Sequence, residues 1–194
     1  MQTVFLVVFL ILSSPQSWSK DKPIDNDVDC SYNLTNQLAL SLKEFDQDFK
    51  GGWRVLSDKG CFSEAADLIA LYREENLKPN SLLFHEAQMR ASAGDHATAS
   101  QLMTERIKQD KDSKQDHFGG SYYLDATLAF FVRDREALIA ARKALENHPK
   151  PEGFVLTDHL GNVVDRPWPP NLNVVKCLEA RFDLPYNEAY GVGC

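Results

Sequence analysis

The sequence predicts an all-α domain, a stack of helical hairpins completed by a C-terminal capping segment. From Leu34 onwards, apolar residues recur at the three-to-four-residue spacing of an amphipathic helix. Three later stretches each hold two such helical patterns separated by a short polar turn. An alanine near the start of each second helix (Ala65, Ala99 and Ala137) repeats at intervals of 34 and 38 residues. A helical period of that length is typical of stacked hairpins.

The N-terminal stretch predicts export. The apolar run from Val4 to Leu12 is shorter than the roughly 20 residues that a membrane-spanning helix needs. Small residues at Ser17 and Ser19 are suitable for signal-peptide cleavage. The region before the run has no Lys or Arg, so a retained anchor or core segment remains the alternative. We assign residues 1–19 to a signal peptide, expect 20–29 to be a flexible mature N-terminus, and predict a periplasmic or secreted protein.

The helical-repeat domain is assigned to residues 30–149. One continuous amphipathic helix is predicted to open it. Its apolar face would be formed by Leu34, Leu38, Leu42, Phe45 and Phe49. Gly51-Gly52 interrupts this helix, because each glycine disfavours a helix interior by about 1 kcal/mol relative to alanine.

Three helix–turn–helix units follow. Their turns are predicted at Gly60-Cys61, at Gly94-Asp95 and at Arg133-Asp134. The helical pattern before each turn covers residues 53–56, 82–93 and 122–132 respectively. The polar stretch 109–117 accounts for the longer second interval between the alanines.

This pattern resembles the tetratricopeptide repeat, a 34-residue helical hairpin with a turn before a small alanine. The stretch from Ala144 to Pro149 is similar to the end of that repeat. The resemblance covers about residues 48–149, and Glu86, Arg90 and Asp125 depart from it where the family has apolar residues. It implies helices that cross closely at the alanines; a generic stack of α-hairpins is the alternative.

The C-terminal segment, residues 150–194, has a different pattern. Apolar runs on either side of a Leu160-Gly161-Asn162 turn predict a small β-hairpin. Residues 167–170 (Pro-Trp-Pro-Pro) impose an extended conformation, and Trp168 is interpreted as a core anchor. Asn171 is predicted to cap a helix that continues to Phe182. Because solenoids need their exposed end covered, we expect this segment to cap the stack.

The four cysteines of the predicted mature chain, Cys30, Cys61, Cys177 and Cys194, suggest two disulfides. The sequence alone leaves three pairings open. We prefer Cys30–Cys61 and Cys177–Cys194, because the first two should lie at one end of a hairpin and the last two bracket a short segment. No pair has the close spacing of a zinc or thiol redox site, so we predict no metal.

The charge balance limits the partners. Twenty-one basic and 28 acidic side chains give a net charge of −7 and a pI near 5.2. Nucleic-acid binding depends on Lys and Arg contacts with phosphates, so nucleic acid is not expected as a partner. No stable membrane span is expected after signal cleavage.

Enzymatic motifs are incomplete. His85-Glu86 begins like a zinc-protease helix, but Met89 stands where the second histidine is required. Gly119-Gly120-Ser121 lacks the spacing of a nucleophile elbow. Paired carboxylates cannot be chosen by counting acids. We therefore assign no catalytic residue and no cofactor.

The resemblance to the tetratricopeptide repeat implies a concave ligand face formed by the first helix of each hairpin. Carried over position by position, the face comprises Lys50, Arg54 and Asp58 in the first repeat, Phe84, Gln88 and Ser92 in the second, and Tyr122, Ala126 and Phe130 in the third. Its mixture of aromatic, polar and charged groups suits a protein or peptide. The alternative is that Phe84, Tyr122 and Phe130 belong to the core.

The leading hypothesis is an exported helical-repeat scaffold that binds a protein or peptide through this concave face. A small inhibitor or immunity-type protein that blocks an exported enzyme is the second hypothesis. A third is an envelope hydrolase whose carboxylates are distant in sequence. A deep pocket with two facing acids would favour the hydrolase.

Overall fold

The computed structural model describes residues 28–76, 79–113, 119–155, 162–164, 167–191 and 193–194. The all-α prediction is confirmed, because these residues form helices and no sheet. The helices are α1 (Leu34–Leu38), α2 (Arg54–Asp58), α3 (Phe62–Glu75), α4 (Asn80–Ser92), α5 (His96–Ser113), α6 (Gly120–Phe131), α7 (Arg135–Glu146), α8 (Leu172–Ala180) and α9 (Tyr186–Ala189), with a π-helical turn at Lys43–Gln47. The predicted signal peptide, and residues 20–27 of the predicted N-terminal tail, lie outside the described residues.

The prediction of one continuous helix from Leu34 to Phe49 is wrong. Helix α1 ends at Leu38, and a separate π-helical turn begins after Leu42. The side chain of Glu44 accepts hydrogen bonds from the backbone N–H and the hydroxyl of Ser41. The backbone N–H of Glu44 in turn donates to the hydroxyl oxygen of Ser41. This reciprocal capping begins a new helical segment there. Phe45 of that segment is buried, whereas Phe49 beyond it is exposed.

The three predicted hairpins are confirmed as α2–α3, α4–α5 and α6–α7, and successive helices pack on one another through the stack. Each hairpin turn has the same backbone hydrogen bonds. The N–H groups of Cys61, Asp95 and Asp134 donate to the carbonyls five residues earlier, at 2.8–2.9 Å. The preceding residue in each turn, Gly60, Gly94 or Arg133, has a left-handed backbone with φ of 81°, 86° and 59°. Both features define a Schellman C-cap.

These turns define the register of the repeat. They show that the buried position near the start of the second helix lies one residue later in the third hairpin than predicted. Ala65 and Ala99, each four residues after the turn's last residue, are fully buried as predicted. The equivalent residue in the third hairpin is Leu138, which is also fully buried, whereas Ala137 is exposed. The backbone N–H of Ala137 instead donates to the Asp134 side chain, which caps α7. The third turn lies where it was predicted, but the repeat position was matched by residue type, and the equivalent position is one residue further along, at Leu138.

Two polar residues that depart from the repeat pattern form ion pairs between α3 and α4. Glu86 is buried and pairs with Arg73. Arg90 pairs with Asp67 at 2.7 Å. Burial raises the pKa of Glu86, and the hydrogen bond from Arg73 opposes this effect. The interface between the first two hairpins therefore combines apolar packing with charge pairs.

The apolar core consists of two clusters. The N-terminal cluster comprises Phe45, Trp53, Leu56, Cys61, Ala65, Ala66, Leu68, Ile69, Tyr72, Leu82 and Met89. The C-terminal cluster comprises buried apolar side chains from α5 to α9 together with Ala87 and Ala91 of α4. Helix α4 lies between them, since it contributes to both.

The C-terminal segment does more than cover the end of the stack. Helix α8 packs on α7 and also on α6, and α9 packs on α4. Trp168 is half-buried; its indole N–H donates to the carbonyl of His148 at 2.9 Å, and its ring packs edge-on against Phe154. Asn171 precedes α8, as expected, but its backbone is left-handed and its side chain makes no capping bond. The greater part of the predicted β-hairpin, residues 156–161 and 165–166, lies outside the described residues.

The preferred disulfide pairing is confirmed. Cys30 is bonded to Cys61, which joins the segment before α1 to the first hairpin turn. Cys177 of α8 is bonded to Cys194, which closes a loop within the C-terminal segment. The first disulfide therefore belongs to the N-terminal cluster, and the second lies within the C-terminal segment.

Candidate binding cleft

A cleft of about 380 Å³ lies where the first two hairpins meet the C-terminal segment. We call it the Trp53 cleft. Its lining residues come from α2, the start of α3, α4, α9 and the turns beside them: Phe49, Trp53, Arg54, Ser57, Asp58, Phe62, His85, Gln88, Met89, Ser92, Tyr186, Asn187 and Tyr190. The cleft thus brings together residues that are more than 100 positions apart in the sequence.

One wall of the cleft is a guanidinium stacked on aromatic rings. The Cζ atom of Arg54 lies 4.3 Å from the ring centre of Trp53 and 5.2 Å from that of Phe49. The Nε–H of Arg54 donates to the backbone carbonyl of Asp46 at 2.9 Å. Trp53 is buried, whereas Phe49 is 78% exposed. Arg54 is therefore held in place beside an aromatic ring that is free to contact a partner.

A buried carboxylate, Asp46, lies behind this wall. Its Oδ1 accepts the indole N–H of Trp53 at 3.2 Å and lies 3.8 Å from the guanidinium of Arg54. Its Oδ2 accepts from the side-chain amide of Gln47 at 2.6 Å. Buried charges are stable in proteins only when they are paired and hydrogen-bonded. Asp46 meets this condition and fixes the positions of both Trp53 and Arg54.

His85 connects the carboxylate to the floor of the cleft. Its Nε2 lies 3.4 Å from Oδ1 of Asp46, and its Nδ1 lies 3.2 Å from Oε1 of Gln88. Burial lowers the pKa of His85, and the negative charge of Asp46 opposes this shift. Because the ordinary histidine pKa is about 6.5, the imidazole is mainly neutral at pH 7.

The network ends on the C-terminal segment. The side-chain amide of Gln88 donates to the hydroxyl of Tyr186 at 2.8 Å, across 98 residues of sequence. Burial raises the pKa of Tyr186 well above its usual value, so this hydroxyl stays protonated at neutral pH. The contact joins α4 to α9 and fixes the wall of the cleft that carries Asn187 and Tyr190.

The lining residues that the structure describes do not include a facing pair of carboxylates. Asp58 is the one carboxylate among the described lining residues, so the cleft lacks the facing pair of acids that glycoside cleavage uses. The hydroxyl of Ser92 donates to the backbone carbonyl of Gln88 within α4. Potential metal ligands in the described part of the chain come together at Cys30, Cys61 and Glu64, but both sulfurs there form a disulfide.

The structure separates the nine predicted face residues into four groups. Four of them line the Trp53 cleft: Arg54, Asp58, Gln88 and Ser92. Lys50 is exposed outside it. Phe84 and Tyr122 are half-buried and pack against the C-terminal cluster. Ala126 and Phe130 are fully buried, so their assignment to a ligand face is wrong.

The physical reason is that the C-terminal segment fills the third hairpin's share of this face. The ring centre of Phe130 lies 5.6 Å from that of Phe182 and 5.8 Å from that of Tyr186. The residues that the repeat register places on one face are therefore accessible only where no later segment covers them.

Sequence reasoning missed Phe49, Trp53, His85, Tyr186 and Tyr190 as lining residues. Phe49 was assigned to a buried helical face, and His85 was considered only for a zinc site. Gly51-Gly52, which follow Phe49 and precede Trp53, were a usable signal that Phe49 does not belong to a continuous helical face, because glycine disfavours a helix interior. The two tyrosines had no such signal.

Among the residues that the structure describes, no helix has the length and apolarity to cross a membrane. The chain has two disulfides, and disulfides form and persist in oxidising compartments. Comparison with protein-family models, curated proteins and solved structures finds no match to this chain. The cleft itself is thus the basis for a functional conclusion.

Proposed function

We propose that this protein is an exported helical-repeat scaffold, similar to tetratricopeptide-repeat proteins, that binds a protein or peptide partner at the Trp53 cleft. The observation that carries this proposal is the pairing of an exposed aromatic ring, Phe49, with a guanidinium held rigidly beside it. Trp, Tyr and Arg dominate the binding energy of protein interfaces. The cleft supplies Trp53, Arg54 and Tyr190 together.

Two further features support the proposal. The polar network from Asp46 to Tyr186 fixes the cleft before any ligand arrives, and a preformed site reduces the entropy cost of binding. Export is supported by the disulfides Cys30–Cys61 and Cys177–Cys194 and by the signal-like sequence at residues 1–19.

The test uses the disulfide-bonded chain as bait for exported proteins of its source organism, with bound proteins identified by mass spectrometry. Each purified candidate is then titrated calorimetrically against wild type, Phe49→Ala and Val132→Ala. Val132 is the matched control, because it is 55% exposed but lies outside the cleft.

We expect Phe49→Ala to weaken binding by about tenfold or more, and Val132→Ala to leave it unchanged. Both substitutions are at exposed positions, so both variants should keep the wild-type melting temperature. Equal binding by wild type and Phe49→Ala for every captured partner would refute the cleft as the binding site.

A further inference from the structure

The charged groups around the Trp53 cleft differ in whether a neighbouring group of opposite charge compensates them. Arg54 lies beside the buried carboxylate of Asp46 and donates to that residue's backbone carbonyl, so its positive charge is compensated inside the protein. The imidazole of His85 faces the same carboxylate at 3.4 Å and is mainly neutral at pH 7. These two lining groups leave little net charge for a ligand.

Asp58 differs from them. It is exposed at the end of α2 and lines the cleft. Among the described residues no ion pair to Asp58 occurs. The neighbouring ammonium of Lys59 is directed elsewhere, donating to the backbone carbonyl of Asp29 at 2.9 Å. The cleft therefore presents one uncompensated negative charge at its edge.

The aromatic groups of the cleft, like Asp58, favour a cationic ligand. Phe49 and Tyr190 are exposed at its rim, and the faces of aromatic rings attract cations. The net charge of the whole chain, −7, also favours the approach of a basic partner over an acidic one.

The size of the cleft limits what enters it. A volume of about 380 Å³ is at the lower end of ligand pockets, which span roughly 300–1,000 Å³. Trp53, Met89 and Tyr186 provide an apolar interior. This space suits one large apolar side chain of an extended segment, while Ser57 and Asn187 on the lining offer hydrogen bonds to its backbone.

We propose that the Trp53 cleft recognises an extended peptide segment of its partner, in which a large apolar side chain enters the cleft and an adjacent Lys or Arg pairs with Asp58. This inference rests on the proposed function and adds the chemistry of the ligand. It assigns Asp58 as the residue that determines specificity for a basic neighbour.

The test titrates the ¹⁵N-labelled, disulfide-bonded chain with two capped peptides at low ionic strength. One is Ac-Ser-Gly-Phe-Lys-Gly-Ser-NH2, and the other has Glu in place of Lys. The readout is the indole N–H resonance of Trp53, which reports on the cleft because that group donates to Asp46. We expect the Phe-Lys peptide to bind at least about fivefold more tightly than the Phe-Glu peptide.

Two variants make the assignment specific. Asp58→Lys should reverse the preference, so that the Phe-Glu peptide binds more tightly. Glu152→Lys changes the net charge by the same amount at an exposed position outside the cleft, and it should keep the wild-type preference.

Equal or tighter binding of the Phe-Glu peptide by wild type would overturn this inference, as would a reversal of preference in Glu152→Lys. Failure of both peptides to shift the Trp53 resonance would overturn it too. None of these results decides the proposed function, which is tested separately by the effect of Phe49→Ala on a captured partner.

Discussion

The face formed by the first helices of the three hairpins has two different ends. Beside α2, it is open and forms the Trp53 cleft, with Phe49 exposed and Arg54 stacked next to it. Beside α6, the same face is covered, because Phe182 and Tyr186 of the C-terminal segment pack on Phe130. One helical architecture therefore supplies a surface at one end and a closed core at the other.

The two ends also use different chemistry. The open end buries a carboxylate, Asp46, together with an indole N–H and an imidazole. The closed end is dominated by aromatic rings, with Arg133 stacked 4.7 Å from the ring centre of Phe130. At the open end a hydrogen-bond network holds the side chains in position, whereas at the closed end the close packing of aromatic rings predominates.

The largest effect that tests this comparison is expected from removing the aromatic ring at the closed end. Phe130→Ala should lower the free energy of unfolding by about 3–5 kcal/mol, because it leaves a cavity against Phe182 and Tyr186. Phe49→Ala removes the same side chain at the open end, where it is exposed, and should cost no more than about 0.5 kcal/mol. Urea unfolding at pH 7 measures both. Similar losses for the two variants would show that the ends do not differ as described.

An intermediate effect is expected from the pH dependence of stability at the open end. Burial lowers the pKa of His85 in the folded chain, so the unfolded chain binds more protons below the ordinary pKa of about 6.5. The contribution of neutral His85 to the free energy of unfolding is present above pH 6.5 and is lost as the pH falls towards the lowered pKa. The free energy of unfolding then decreases by no more than about 1.4 kcal/mol per pH unit. Urea unfolding between pH 7.5 and pH 5.5 measures this slope.

His85→Gln should flatten that slope, since glutamine keeps a hydrogen-bonding group beside Asp46 but does not titrate. Glu86, whose pKa is raised by burial, acts in the opposite direction and is present in both proteins, so the difference between the two curves isolates His85. Parallel curves for the two proteins would contradict the assignment.

The smallest effect is expected at the turn of the third hairpin. Arg133 has φ of 59° where the other two turns have glycine, and its guanidinium donates to the backbone carbonyls of Phe182 and Leu184. Arg133→Ala and Arg133→Gly both remove these contacts, so both should be less stable than wild type. Arg133→Gly should be more stable than Arg133→Ala by about 1 kcal/mol, because only glycine adopts this backbone without a Cβ clash. Thermal unfolding of the pair gives the difference, and equal stability would argue against a left-handed turn.

Much of the helical architecture could be predicted, because its signals are local. The turns at Gly60 and Gly94 were placed correctly, since a glycine after an amphipathic run is a strong sign of a helix C-terminus. The third turn, at Arg133-Asp134, was also placed correctly, but its repeat position was misplaced by one residue because Ala137 was chosen by residue type, whereas Leu138 occupies the position four residues after Asp134. The break before Lys43 was missed because Ser41 and Glu44 form a capping box inside an otherwise continuous apolar pattern.

The candidate site was less predictable. Gln88 and Ser92 line the cleft because α4 presents them to its open side, as the repeat register implied. Phe130 occupies the matching register on α6 but is buried, because the cover comes from residues about 50 positions later. Periodicity shows which residues share a helix face, and it holds no information about which distant segment covers that face.

The sequence by itself determined the all-α class, the three hairpins and the preference for local disulfides, because amphipathic spacing, turn residues and short cysteine separations act over a few tens of residues. Only the tertiary structure decided where the shared face stays open. That outcome depends on the hydrogen bond between Gln88 and Tyr186 and on the packing of Phe182 on Phe130. Both contacts form only when the C-terminal segment folds back onto helices that lie far from it in the sequence, since the energy of burial depends on spatial neighbours and not on sequence neighbours.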